Sequence, residues 1–204
     1  MSRVIIPIGI DCGVAGFLRQ NNLRNFSLPF DWVVSYGGSY EIISKEFEDY
    51  ISNNSDINRN VNIRFVHQKF PQDTEKMKRR ICRFLDLLKN EEDEIIFLRK
   101  GHAEHHHNEC KNDNLKLKDD LLDCEELSTF LKKKYAKLKF KIVLFLVCSE
   151  CYDYKKEYHS NNVVIYNVAN KKERASLIRN CFDDFKKELG VDGDMVESFL
   201  ICNL

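Results

Sequence analysis

The sequence lacks most of the features that would place it outside the ordinary globular class. It carries no net charge, because 32 basic residues balance 32 acidic ones. No global positive field exists to gather nucleic acid or an anionic membrane, so neither partner is expected. No run approaches the ~18–20 apolar residues that a membrane helix needs. Glycine (8) and proline (3) are scarce, and no Pro/Gly/Ser linker, internal repeat or low-complexity tract divides the chain. The apolar run from Val4 to Ile10 is too brief and too β-branched for a signal peptide, and no small-residue cleavage site follows it. These absences lead to the expectation of a cytoplasmic protein with one domain over residues 1–204. Cysteines stand at 12, 82, 110, 124, 148, 151, 181 and 202. In a long chain without an export signal they are expected to be reduced thiols. Cys82 and Cys181 fall within apolar helical patterns and read as small core residues.

What is present suffices for a core: 43% hydrophobic residues, with 14 Phe, 8 Tyr and 1 Trp. Short β-rich runs alternate with helical patterns. Val4–Ile10 reads as a buried strand, with Pro7 pointing to an edge position or an irregularity. Cys12–Gln20 reads as a helix and Phe26–Val34 as an extended stretch. Ser39 is placed to cap a helix carrying Ile42, Ile43, Phe47, Tyr50 and Ile51. Val61–Val66 is a strand. The clearest helix follows Asp73, where Met77, Ile81, Phe84, Leu85 and Leu88 form one apolar stripe. Glu94–Leu98 is the next strand, followed by a polar loop and a helix bearing Leu127, Phe130 and Leu131. Ile142–Val147 is continuously apolar, as a strand buried on both faces would be. Val163–Tyr166 reads as the last strand. Leu177, Ile178, Cys181, Phe182, Phe185 and Leu189 mark a final helix stopped by Gly190, and 195–204 is expected to dock on the body. This alternation predicts an α/β fold, a mostly parallel sheet with helices on both faces.

Ligands of such sheets bind beyond the carboxyl ends of the strands. Asp11 and Cys12 follow the first strand, Asp31 lies in the second extended stretch, and His67 follows Val66. Arg99, Lys100 and His102 follow Leu98, while Cys148 and Glu150 follow Val147. Cys12 stands where a strand turns into a helix, whose amides and dipole favour a thiolate. It is therefore expected to be the most reactive of the eight thiols. The alternative is a small buried cysteine at a helix start. A cysteine nucleophile needs a base, oriented by a third polar group. His67 and His102 are the candidates for the base and Asp31 for the orienting group. Read singly, His67 is equally a satisfied ring and Asp31 a turn residue beside Trp32. Gly13, Trp32 and Arg99 are the candidate substrate contacts.

The run Gly101–Cys110 is rich in histidine. His102 and His106 would share a face if it were helical, which suits a divalent metal. Cys148 and Cys151 form a single C-x-x-C pair, a weak zinc signal without a second pair. A solvated loop is the commoner outcome, and no metal or cofactor is assigned. Cys12 and Arg19 are separated by six residues, one too many for a cysteine-phosphatase loop. No phosphate-binding G-x-x-x-x-G-K-[ST], dinucleotide G-x-G-x-x-G or G-x-S-x-G run occurs.

Ile8–Ala15, then Leu18-Arg19 and Leu28-Pro29-Phe30-Asp31-Trp32, resemble the start of a family of papain-like cysteine peptidases, a domain of unknown function found in bacteria and large DNA viruses. Arg64–His67, Arg79-Arg80, Arg83-Phe84 and Ile96–Arg99 continue the pattern. The resemblance covers the first half of the chain well and the second half loosely. It implies Cys12 as nucleophile, with a His base and an acidic partner, and does not decide between His67 and His102; His67 is slightly favoured because it ends a predicted strand. It also implies an α+β papain-like arrangement as the alternative fold. The Arg residues at 79, 80 and 83 are read as holding their helix against acidic neighbours or binding a substrate carboxylate.

The function expected from sequence is thus cysteine-dependent amide or acyl hydrolysis of a peptide or amide substrate. The rivals are a catalytically inactive protein-interaction module, viral or host-directed, and a metal-binding domain built from the His cluster with Cys110 or from Cys148 and Cys151.

Overall fold

The computed structural model describes residues 3–51, 55–90, 92–102, 104–148, 155–160, 162–169 and 184–191. Its elements are β1 (Arg3–Pro7), α1 (Cys12–Gln20), β2 (Val33–Ser35), α2 (Tyr40–Ser44), β3 (Ile57–Asn58), β4 (Ile63–Phe65), α3 (Thr74–Lys89), β5 (Glu94–Lys100), α4 (Glu104–Asn112), α5 (Asp120–Lys134), β6 (Lys139–Cys148), β7 (Lys155–Ser160) and β8 (Val163–Ala169). The five-stranded sheet has the order β1-β5-β6-β8-β7. Its pairs β1–β5, β5–β6 and β6–β8 are parallel, and β7–β8 is antiparallel. Pro7 sits on the edge strand, where its missing N–H costs no ladder bond.

The period-two alternation of the strands sorts side chains to two faces. Ile95 and Phe97 of β5, Ile142 and Leu144 of β6, and Val163 and Ile165 of β8 face a core completed by α2, α3 and α5. Ile96, Leu98, Val143, Phe145, Val164 and Tyr166 face the other way, against Val14, Phe17 and Leu18 of α1 and Phe185 and Leu189 of the helical segment 184–189. Both faces are covered, as the continuous apolar β6 requires. A wholly buried residue such as Phe84 or Leu127 contributes ~1.5–3 kcal/mol by leaving water. The stripe expected after Asp73 is the buried face of α3: Met77, Phe84 and Leu88 are buried, and Ile81 and Leu85 pack partly buried beside them.

Several expectations need correction. Val61–Val66 does not join the main sheet. Its core, β4, pairs antiparallel with β2 and β3 in a small second sheet, so parallel crossovers do not describe residues 33–65. The helix beginning near Ser39 ends at Ser44, because Glu46, Phe47 and Asp49 adopt positive φ. Ser39 does not cap it with its own side chain. Instead Asp123 of α5 accepts from the Ser39 and Tyr40 amides (2.8 and 3.0 Å) and from the Ser39 hydroxyl (2.9 Å). Gly38, at φ +84°, makes room, since a Cβ there would lie 2.2 Å from Asp123 Oδ1.

The polar loop after β5 contains the helix α4, and β7, too charged to read as a strand, forms the sheet's antiparallel edge. Charge on an edge strand opposes further pairing. Cys82 is exposed and not a core residue, while Cys110 and Cys124 are buried; all three are free, as is Cys12. Cys181, the helix start from Leu177 to Phe182, and 195–204 lie outside the described residues, as do Glu150, Cys151 and the Cys148 side chain.

Candidate active site at the carboxyl rim of the sheet

Beyond the end of β1, backbone bonds to β5 continue: Ile8 N–H to Leu98 O (2.9 Å), Lys100 N–H to Gly9 O (3.0 Å) and Ile10 N–H to Lys100 O (3.1 Å). Cys12 follows Ile10 by two residues and His102 follows Lys100 by two. Adjacent strands lie ~4.8 Å apart, so the two chain segments emerge side by side on one rim. Gly9 is required here. At φ +108° it lets Ser35 and Arg99 approach so closely that a Cβ would sit 2.0 Å from Ser35 Oγ and 2.8 Å from Arg99 Nη1.

Cys12 opens α1 and is half-buried. The N-cap is Asp11, whose Oδ1 accepts from Gly13 N–H at 2.8 Å. Asp11 Oδ2 lies 3.0 Å from Lys100 Nζ and 3.4 Å from His106 Nε2. Burial alone would raise the Asp11 carboxyl, but hydrogen bonding to His106 and the Lys100 charge hold it well below the usual carboxylate range. The consequence for Cys12 reverses the expectation from sequence. Burial and the Asp11 charge push its thiol up, against the smaller pulls of its own amide and Lys100. The helix start does favour an anion, but the Asp11 carboxylate has taken that place. These influences favour the neutral thiol over the thiolate.

His102 is the oriented imidazole. Its Nδ1 lies 2.7 Å from Asp120 Oδ2, and its backbone N–H donates to the same oxygen at 2.8 Å. The hydrogen bond to Asp120 raises the imidazole above its ordinary value, against the effect of burial. Its side chain is 26% exposed, enough to meet a substrate. Asp120, at the start of α5, also receives Arg99 Nε at 2.7 Å, with Arg99 Nη2 at 2.6 Å from Oδ1. Arg99 is fully buried and donates further to Ile8 O at 2.9 Å. It is therefore a positioning residue that fixes Asp120 and the end of β1, not the substrate contact expected.

The other candidates lie elsewhere. His67 follows β4 in the small sheet and is exposed, with its ring edge-on to Trp32 at 5.6 Å. Trp32 also carries the guanidinium groups of Arg19 (5.2 Å) and Arg24 (5.8 Å) over its ring. Arg19 lies seven residues along α1 from Cys12, a rise of ~10 Å. Trp32 thus belongs with the far end of α1. Asp31 is buried, with Oδ2 2.5 Å from Arg24 Nη2 and 3.0 Å from the Leu28 amide. Burial pushes its carboxyl up, opposed by the Leu28 amide and Arg24. Its bonds secure the loop before β2, and the carboxylate that meets a candidate imidazole is Asp120, at His102. Gly13 stays at the rim, with its amide committed to Asp11.

Asp120 is not among the residues that the sequence singles out, and His106 is there only as a candidate metal ligand with His102. A signal for Asp120 existed: Asp119 accepts from Leu122 N–H as the N-cap of α5, and an Asp-Asp pair before an apolar helical pattern marks such a start. His106 is buried on α4, and His107 meets His102 edge-to-face at 4.7 Å. Among the described residues no group of three or more His, Cys, Asp or Glu side chains is placed to hold a metal ion. Likewise, no described helix is long and apolar enough to cross a membrane.

No curated protein and no solved structure matches the chain. Residues 3–69, which carry Cys12, Asp31 and His67, match the model of a family described as "Putative papain-like cysteine peptidase", the same family that the sequence motifs resemble.

Proposed function

We propose that this chain is a cysteine-dependent amide or acyl hydrolase, with Cys12 as nucleophile and His102, oriented by Asp120, as general base. The observation that supports it is the shared rim, where the strand ladder delivers Cys12 and an imidazole already paired with a carboxylate from neighbouring positions. The family match includes His67 and ends before His102. The choice of His102 rests on its carboxylate partner and on the exposed, Trp32-bound setting of His67.

With Nδ1–H donated to Asp120, Nε2 of His102 keeps its lone pair and takes the thiol proton. Cys12 Sγ attacks the carbonyl carbon, and the oxyanion collapses to a thioester. The leaving amine or alkoxide recovers the proton from Nε2. Water, deprotonated by the same nitrogen, then releases the acid and restores the thiol. Peptides and other amides or esters are the substrate class. Four free cysteines among the described residues support a reducing, cytoplasmic setting.

The test is burst kinetics with p-nitrophenyl acetate in a Cys82→Ser background, which removes the exposed thiol. One equivalent of nitrophenolate is expected from the parent and from His67→Ala, and none from Cys12→Ala or His102→Ala. A burst that survives Cys12→Ala, or one lost with His67→Ala and kept with His102→Ala, overturns the assignment.

One observation favours a second reading, a protein-interaction module, viral or host-directed, that keeps the scaffold without the chemistry. It is the raised Cys12 thiol under the Asp11 charge. That reading predicts no burst from a fully folded parent protein.

A further inference from the structure

Helix α3 presents Lys76, Arg79, Arg80 and Arg83 at helical spacings of three and four, which places them along one side. With Ser27 they line a hollow of about 150 Å³. Two features mark it as a built site. Arg80 is only 7% exposed, yet its Nη1 has no hydrogen-bond partner among the described residues. A buried guanidinium nitrogen left unpaired is costly. The donors around it are also fixed: Arg83 Nη1 donates to Ser27 O at 2.7 Å, and Arg24 Nη2 donates to Ser27 Oγ at 2.5 Å. The Ser27 oxygen is thereby engaged as an acceptor, and its own O–H remains to donate.

The nearby acids do not neutralise the hollow. Asp73 lies 3.2 Å from Lys76, and Asp31, whose charge acts on Arg80, is paired with Arg24. Asp31 and Asp73 both act on Arg80, and against Arg24, Lys76, Arg79, Arg80 and Arg83 these two acids leave three positive charges in surplus. A single carboxylate would answer one of them, whereas a phosphate monoester brings about two negative charges and three acceptor oxygens.

We propose that this hollow is a phosphate-monoester-binding subsite, with Arg80 as its buried anchor, Arg79 and Arg83 as its outer clamp and Ser27 as a hydroxyl donor. It shares no residue with the rim that holds Cys12 and His102, so it stands whether or not the hydrolase reading does.

Isothermal titration of the full chain with inorganic phosphate, at ionic strength held constant with chloride, tests it. Saturable binding is expected, undisturbed by Cys12→Ala and weakened at least roughly tenfold in Arg79→Gln/Arg83→Gln, since charge-assisted bonds are lost. Those two side chains are exposed, so this variant is expected to fold, with circular dichroism as the check. Arg80→Met, which also takes a cation from the neighbourhood of buried Asp31, should abolish the phosphate-dependent rise in Tm measured against its own phosphate-free Tm. Acetate should not compete. O-phosphoserine and a sugar phosphate, titrated in parallel, separate a peptide-borne phosphoryl group from a metabolite's, and tighter binding by either one supports the subsite. No saturable binding, equal competition by acetate, or full affinity in the double variant overturns it.

Discussion

Replacing Asp120 by Asn removes one charge with almost no change of shape, and the structure sets the size of the response. Asp120 is 2% exposed and Arg99 is 0% exposed, with both Nε and Nη2 of Arg99 within 2.7 Å of Oδ1. Burial alone would raise the Asp120 carboxyl; Arg99 and His102 instead hold it at about 2. A depressed carboxylate contributes stability that is complete above its unfolded value of ~3.9 and is lost as pH falls through the folded value. Here the window runs from about pH 4 down to 2 and is worth roughly 2–3 kcal/mol at neutral pH. His102 reports the same pair from the other side. Its raised imidazole contributes stability that is complete below ~6.5 and lost as pH rises through the folded value. In Asp120→Asn the buried Arg99 loses its nearest counter-charge and keeps only the more distant Asp123, which costs up to ~3–5 kcal/mol. The amide oxygen still accepts from Arg99, which favours the lower end. Urea unfolding at pH 7 should therefore show a lower midpoint at unchanged m, and the variant's stability should fall less between pH 4 and 2 than the parent's, the remaining loss coming from other depressed carboxylates such as Asp11. In the NMR titration, His102 should move back toward its ordinary value. A loss below ~1 kcal/mol, or an acid limb identical to the parent's, would refute the reasoning that Asp120 is the charged hinge of the rim.

Two further outcomes follow from the same rim. Asp11→Asn keeps a side-chain oxygen for the Gly13 amide but removes the charge that raises the Cys12 thiol. Alkylation of Cys12 by iodoacetamide at pH 7, followed by peptide mass spectrometry with exposed Cys82 as internal reference, should quicken; an unchanged or slower rate would contradict the electrostatic account. Gly9→Ala places a Cβ 2.0 Å from Ser35 Oγ at a φ of +108°. It should cost roughly 2–4 kcal/mol through backbone strain and overpacking. Thermal unfolding within ~0.5 kcal/mol of the parent would show that the rim is looser than described.

The parts of this fold that could be read from sequence are those governed by a single periodicity. The α3 stripe from Met77 to Leu88 and the continuous apolar β6 announce their neighbours because each buries a face whose pattern is local. Pro7 likewise marked its own strand as an edge or an irregular one. The small sheet could not be read this way. Val33–Ser35 and Ile63–Phe65 are each three residues long, and nothing within so short a run distinguishes antiparallel pairing with each other from a place in the parallel sheet. That error moved His67 to the wrong rim, because a residue read as following a sheet strand inherits the position of the whole sheet.

The site shows the same division between local and distant information. Cys12 at a strand–helix junction was legible because chain direction and the glycines around it specify the turn. Its charge state was not, since the dipole argument treats the helix start as vacant. Asp11, one residue earlier, occupies that start with its own carboxylate, held there by Lys100 from β5 and His106 from α4. Whether a thiol at a helix entrance ionises therefore depends on which anion arrives first, and that is settled by residues about ninety positions away in the chain. Asp120 illustrates the converse. An acidic pair at a helix start looks like a cap from sequence, and Asp119 is one. Only the sheet register, which sets Arg99 and His102 against the start of α5, turns the second carboxylate into the group that orients an imidazole. If Cys12 is to act, substrate binding must do what the resting rim does not: draw Asp11 further toward Lys100 and His106, or bring the neutral thiol within reach of His102 Nε2, so that proton transfer and attack occur together and no standing thiolate is needed.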